Sequence, residues 1–417
     1  DQHLKTEHLQ GNIGRRAVSG GFVTATAQGV KFALNLAATV ALARLLSPQD
    51  FGLVAMTGTL LSILRVFREG GLSTATVQKE SVTQAQVSNL FWINLGFGIL
   101  LAGLGALLAP TVAWFFRDER LVGITLWLSI TFAVGGSSVQ HLALLNRQMR
   151  FKAIALIDIV SLLVGFTTGV VLAWLKFGYW SLVGMQLSTS IAETLLTWGA
   201  SGWRPHLPRR HSDTKSMLSF GASMTAFILL RRLVQGIDVL LLGRFHGADS
   251  VGIYSRAQAL LQRPLDQFIN PFDAVFVPLL SRLQNQPQRY REVFLKAHGA
   301  VALLSFPFAG LLMGLAEPLV IALLGPKWSG VAPIFGWFAV SALHIPMVYS
   351  SMWLLSTQAR SRDLIIVGFA SPLVTIAAVA IGIPFGAVGV ALALTVGGTL
   401  VRLPIHYYVA GRTGPVS

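Results

Sequence analysis

Residues 87–115 read VSNLFWINLGFGILLAGLGALLAPTVAWF, twenty-nine positions without a single charged side chain. A helix of about 20 apolar residues crosses a hydrocarbon core about 30 Å thick, so this stretch is long enough to span a bilayer. Comparable stretches recur along all 417 residues, with spans expected at 20–46, 51–75, 87–115, 121–144, 153–175, 180–198, 217–242, 251–279, 297–315, 331–355, 364–383 and 387–410. Hydrophobic residues make up 53% of the chain and charged residues only 12%, about half the charged share of a soluble domain. The expectation is an all-α integral membrane protein with twelve transmembrane helices.

The net charge of +15 does not imply nucleic acid, because the basic residues punctuate apolar segments rather than forming one solvated face. Cytoplasmic loops of membrane proteins are enriched in Lys and Arg. Nineteen of these residues fall in the tails and every second loop, against six in the opposite loops: Arg44, Arg117, Arg120, Lys176, Arg244 and Lys327. Both termini are therefore expected in the cytoplasm. Asp118 and Glu119 further offset Arg117 and Arg120. The polar stretch Asp1–Gln10 gives no sign of a cleavable signal peptide. With no cysteine in these residues, disulfides, thiolate metal sites and a cysteine nucleophile are excluded.

The sequence also resembles itself. Ala43-Arg44-Leu45-Leu46-Ser47-Pro48-Gln49-Asp50-Phe51-Gly52-Leu53 aligns with Gly243-Arg244-Phe245-His246-Gly247-Ala248-Asp249-Ser250-Val251-Gly252-Ile253, and in that register Lys31 meets Arg231 and Asn35 meets Gln235. Farther along, Gly178 meets Gly386. Six spans per repeat leave both copies in one orientation, so the expected arrangement is two six-helix lobes related by a pseudo-twofold axis along the membrane normal. Residues 1–198 form the first lobe, 199–216 a cytoplasmic linker and 217–417 the second lobe. The linker's Arg204, Arg209 and Arg210 suit either an ordinary positive-inside loop or contact with anionic headgroups.

These motifs, with Asp238 through Tyr254 and Asn146-Arg-Gln-Met-Arg-Phe-Lys152, resemble the polysaccharide transporter family. That family comprises flippases of O-antigen, capsule and exopolysaccharide repeat units, in the multidrug/oligosaccharidyl-lipid/polysaccharide exporter superfamily. The resemblance implies a lipid-linked anionic oligosaccharide, carried on undecaprenyl diphosphate, as the substrate. Membrane lipids and the polysaccharide polymerase or export machinery are the partners it implies.

Charges inside spans point to a site, since each ionisable residue near the bilayer centre costs about 2.5 to 3.5 kcal/mol. Thr24, Gln28, Lys31, Asn35 and Thr39 share one helical face. Arg231, Gln235 and Asp238 repeat that spacing, with Arg232 alongside. Arg65 shares a face with Gly58, Ser62 and Glu69, while Arg263 lies near Asp266 and Asp273. Five unpaired cations (Lys31, Arg65, Arg231, Arg232 and Arg263) would cost about 12 to 18 kcal/mol, so a watery cationic cavity holding an anion is expected. Arg grips phosphate oxygens bidentately and Lys acts as a point charge, while Gln28, Asn35 and Gln235 would meet sugar hydroxyls. Asp238 is an ion-coupling candidate or a partner of Arg231 or Arg232, with Asp158 and Glu193 weaker candidates for proton coupling. His141, His298 and His344 lack metal-ligand spacing and read as helix-packing residues; neither a metal nor a cofactor is expected.

A drug antiporter on the same fold would favour an acidic or aromatic cavity, against the cations seen here. A membrane-embedded polymerase or ligase would need a larger extramembrane region than a linker of roughly eighteen residues provides.

Overall fold

The computed structural model describes residues 13–69, 73, 76, 77, 82–208 and 236–416, and among them there are helices and connecting turns but no strand. The chain divides into two compact units, Asp1–Gly236 and Ile237–Ser417. The first contains α1 (Ile13–Leu45), α2 (Pro48–Glu69), α3 (Gln84–Phe116), α4 (Arg120–Gly136), α5 (Val139–Arg147), α6 (Phe151–Trp174) and α7 (Trp180–Ser201). The second contains α8 (Ile237–Arg282), α9 (Pro287–Gly314), α10 (Ala316–Leu324), α11 (Val331–Thr357), α12 (Ser361–Gly382), α13 (Gly386–Gly397) and α14 (Leu403–Gly411).

Helix α3 is the apolar stretch already quoted, and its ends are marked chemically. The Gln86 amide donates to Thr83 Oγ1 at 3.3 Å while the Thr83 amide donates to Gln86 Oε1 at 3.1 Å, a reciprocal cap of two orphan donors. The other end stops at Arg117 in the left-handed region, φ 60°. Beyond it Arg120 forks onto both oxygens of Asp118 at 2.9 and 2.7 Å. That hydrogen-bonded guanidinium holds the Asp118 carboxyl below its usual range.

Lipid is the solvent for these surfaces. Large apolar side chains point outward, Leu107 at 78% exposure and Leu303 at 74% among them, while Ser129, His344 and Thr395 are buried. That is the reverse of a soluble fold. Helices α3, α6, α9 and α11 are each long and apolar enough to cross a membrane, as is the run Ser361–Gly411; α4 and α5 qualify together across a 43° bend. The chain is thus an integral membrane protein, all-helical among the described residues.

The bend divides the span expected at 121–144. Ser137 and Ser138 turn their hydroxyls back onto the carbonyls of Val134 and Gly135, and Trp198 Nε1 satisfies the Ser137 carbonyl at 2.9 Å. A side chain on α7 thereby replaces helical bonding in a medium that supplies none. In the second unit, α8 runs with helical geometry through Pro264 and Pro271, and its break falls at Gly247, φ 77°, where a β-carbon would be strained. This break separates the end of the span expected at 217–242 from the one at 251–279; the remainder of 217–242 lies outside the described residues. The nine-residue α10 was not anticipated.

Two arginines do the same job in the two units. Met149 and Ala359 both adopt left-handed backbone, φ 52° and 51°. The arginine after each caps a helix end: Arg150 donates to Ala200 O at 2.7 Å, and Arg360 donates to Ala410 O at 2.7 Å. Arg360 also bonds Val409 O, Thr413 O and Asp363, and Arg412 reaches Asp363 too. Arg360→Ala is expected to destabilise the second unit by about 1 to 3 kcal/mol, since it orphans several acceptors at once. Arg360→Lys should not restore stability, because an ammonium cannot fork across several carbonyls. Thermal unfolding in detergent reads both variants, and an unchanged midpoint for the alanine variant would refute the clamp.

Candidate functional site

The polar stripe on α1 is partly self-satisfied. Asn35 Nδ2 donates to the Lys31 carbonyl at 2.8 Å, and Thr39 Oγ1 donates to the Asn35 carbonyl at 2.8 Å. Such back-bonding to the preceding turn keeps polar side chains tolerable in an apolar helix. Gln28 is exposed on the same helix.

Lys31 is not the unpaired cation expected from the sequence. Its Nζ lies 2.6 Å from Asp158 Oδ2 on α6, with the two side chains 26% and 32% exposed. Asp158 is the one acid in α6, and α6 packs along α1. A lone charge within a membrane span is costly, and pairing neutralises two charges at once. Both groups nevertheless keep an accessible side. The sequence had placed Asp158 only as a weaker proton-coupling candidate, because no local spacing links residues 127 positions apart.

In the second unit, Asp238 is buried at the start of α8. Its Oδ2 accepts from Tyr254 Oη at 2.7 Å and from Gln258 Nε2 at 3.4 Å, and its Oδ1 accepts from the Val239 amide at 2.8 Å. Those bonds join the two arms of α8 across the Gly247 break. Asp266 accepts from Gln262 at 2.8 Å, and Asp273 from Trp353 Nε1 at 2.6 Å. The acids expected to balance the cations are therefore supported by neutral donors.

Arg65 lies exposed on α2 and Arg263 exposed on α8. Arg231, Arg232 and Gln235 lie outside the described residues, as does any pairing of Asp238 with those arginines. Sequence reasoning brought Lys31, Gln28 and Asn35 onto one helix, and the structure adds Asp158 to them.

Of the histidines, His298 bonds Ser350 and Tyr407, and His344 bonds Thr399 and Arg402. His141 stacks on Trp198 with centroids 4.3 Å apart. All three serve helix packing.

Residues 41–333 match the family model described as "Polysaccharide biosynthesis protein". The chain is 29% identical over 273 residues to the teichuronic acid biosynthesis protein TuaB of Bacillus subtilis (strain 168), a match covering 65% of this chain and 56% of that protein. It is 25% identical over 336 residues to the lipopolysaccharide biosynthesis protein WzxC of Escherichia coli (strain K12), covering 80% of this chain and 68% of that one. The first of these relatives is thus matched over little more than half its length. Among solved structures, the fold is similar to the lipid II flippase MurJ in an inward closed conformation (TM-score 0.66, 13% identity, 94% of this chain and 87% of that one). It is also similar to an inward-facing multidrug resistance MATE family transporter (TM-score 0.68, 13% identity, 91% and 93%).

Proposed function

The chain belongs to the family of polysaccharide biosynthesis proteins matched over residues 41–333, and from that membership we propose that it is a flippase for a lipid-linked anionic oligosaccharide rather than an enzyme. The observation that carries the proposal is the partly exposed Lys31–Asp158 pair on a polar stripe within an apolar helical protein. An ammonium held by one carboxylate, and open on another side, is a ready partner for a diphosphate.

In this reading, the chain takes an undecaprenyl-diphosphate-linked oligosaccharide from the cytoplasmic leaflet to the periplasmic leaflet of a bacterial inner membrane. Lys31 holds the diphosphate together with Arg65, Arg231, Arg232 and Arg263, while Gln28, Asn35 and Gln235 meet the glycan. Asp238 is the ion-coupling candidate. Two six-helix lobes of residues 1–198 and 217–417, twelve spans in all, alternate access around the site while the lipid tail remains in the bilayer. Support for the repeat comes from the matched clamps at Arg150 and Arg360, whose targets, Ala200 and Ala410, keep the same spacing. The polymerase or export machinery would receive the product. The MATE likeness concerns fold alone, and the cations read within the spans (Lys31, Arg65, Arg231, Arg232 and Arg263) oppose a drug antiporter.

Topology is tested by reporter fusions. Cytoplasmic reporters should be active after Lys152, Arg210 and Arg289, and periplasmic reporters after Asp118, Asp249 and Lys327; reversal at two of these sites would discard the assignment of leaflets. Function is tested in a strain deleted for the gene. The intact chain should restore surface polysaccharide and clear lipid-linked intermediate from the cytoplasmic leaflet, and a strain whose intermediate persists despite normal protein levels would contradict the proposal.

A further inference from the structure

After α7 the chain does not leave the protein. Residues 202–208, without helical structure, turn back along the first turns of α3. Trp203 Nε1 donates to Gln84 Oε1 at 2.6 Å, and Gln84 Nε2 donates to the Arg204 carbonyl at 2.9 Å. The His206 amide donates to Ser88 Oγ at 3.0 Å, and Trp92 Nε1 donates to the His206 carbonyl at 2.9 Å. Gln84, Ser88 and Trp92 recur every four residues on one face of α3, so the segment advances with them, about 12 Å along the helix axis from the first to the last.

Its position along the bilayer normal follows from α3 itself. Trp92 and Trp114 are both exposed, at 39% and 75%. Twenty-two residues of helix separate them by about 33 Å, close to the hydrocarbon thickness. Exposed tryptophans at that separation mark the two interfaces. The strap therefore starts in the headgroup region beside Gln84 and ends beside Trp92 at the hydrocarbon boundary.

Three features suit it to that zone. Backbone polar groups at Arg204 and His206 are taken up by side chains of α3, as non-helical backbone near lipid requires. Leu207, at the deep end, is 80% exposed, an apolar side chain with no covering protein. Arg204 sits over the Trp198 ring, 5.7 Å from its centroid, with Arg209-Arg210 next in sequence. Basic residues in the headgroup zone complement an anionic leaflet.

We propose that residues 203–208 form an interfacial anchor that inserts Leu207 at the hydrocarbon boundary of the lipid leaflet and sets Arg204 among its phosphate-bearing headgroups. Its occupant is the leaflet rather than a protein partner. The anchor depends on the chain spanning the membrane and is independent of the substrate proposed above.

The absence of cysteine makes a single nitroxide label unambiguous. Leu207→Cys, labelled and reconstituted into phosphatidylethanolamine–phosphatidylglycerol vesicles, is compared with Lys152→Cys as a water-exposed reference and Leu107→Cys as a hydrocarbon reference. Collision with oxygen should exceed collision with a water-soluble nickel complex at residue 207, giving a depth between the two references. Adding Ser88→Ala and Trp92→Phe, which remove both bonds to His206 at the deep end of the strap, should move the label outward into water. Nickel accessibility at residue 207 equal to that at residue 152 would overturn the anchor, as would low accessibility to both collision partners, which means cover by protein. If the strap variants leave the depth unchanged, the hydrogen-bonded placement is likewise overturned.

Discussion

Lys31→Ala is expected to weaken binding of the lipid-linked anion by about ten- to a hundredfold, the loss of one charge-assisted contact of about 1.5 to 3 kcal/mol. Its effect on folding differs from that of deleting a lone cation, because Asp158 is left behind without its partner. Removing one member of a fully buried pair costs about 3 to 5 kcal/mol; with a quarter to a third of each side chain exposed, a smaller loss of stability is expected here. Asp158→Asn inverts the pattern: stability falls, yet binding of the anion is retained or improved, since Lys31 no longer divides its charge between two acceptors. The double variant Lys31→Ala, Asp158→Asn should regain most of the stability and none of the binding, a non-additivity that identifies the pair. Thermal midpoints and binding to vesicles carrying the lipid separate the two quantities. Full binding by the stable double variant would remove Lys31 from the site.

The second large effect lies where α3 meets α4. A β-carbon on Gly98 would stand 2.6 Å from the Phe132 carbonyl oxygen, and one on Gly136 would stand 2.8 Å from that of Asn94. Both obstacles are backbone, so no rotamer change relieves them. In membranes such small-residue contacts let helices approach closely enough for packing forces to hold them together. Gly98→Leu should therefore push the helices apart and leave little folded protein, beyond the about 1 to 3 kcal/mol of ordinary overpacking. Gly103→Ala on the same helix is the matched control, with nothing within 4 Å of the added atom. Its midpoint should stay at the parent value. A Gly98→Leu protein as stable as the Gly103→Ala control would show that this crossing does not govern the fold.

Periodicity and charge made the long apolar helices α3, α6, α9 and α11 legible, because a 29-residue uncharged run admits few solutions in water or lipid. What they could not supply was pairing at a distance. Lys31 shares a face with Gln28 and Asn35 by helical arithmetic, but Asp158 reaches it only through packing of α6 on α1. The same holds for Asp238, whose donor Tyr254 is brought near by the break at Gly247. The Arg150 and Arg360 clamps did have a signature, a Gln-X-Arg triplet at Gln148-Met149-Arg150 and Gln358-Ala359-Arg360. It was missed because left-handed backbone at Met149 and Ala359 has no propensity signal in residues that seldom adopt it. Likewise nothing in Trp203 through Pro208 announced a strap, since its bonds are made to side chains more than a hundred positions earlier.

Translocation itself can be measured in proteoliposomes containing the purified chain and a fluorescent undecaprenyl-diphosphate oligosaccharide distributed over both leaflets. A membrane-impermeant glycosidase added outside digests only the outer-leaflet pool in protein-free vesicles. With the chain present, digestion should continue until the inner-leaflet pool is consumed, and Lys31→Ala, Asp158→Asn should slow this second phase without altering the first. Digestion that stops at the outer-leaflet pool, with folded protein in the vesicles, would contradict the assignment of this chain as a flippase.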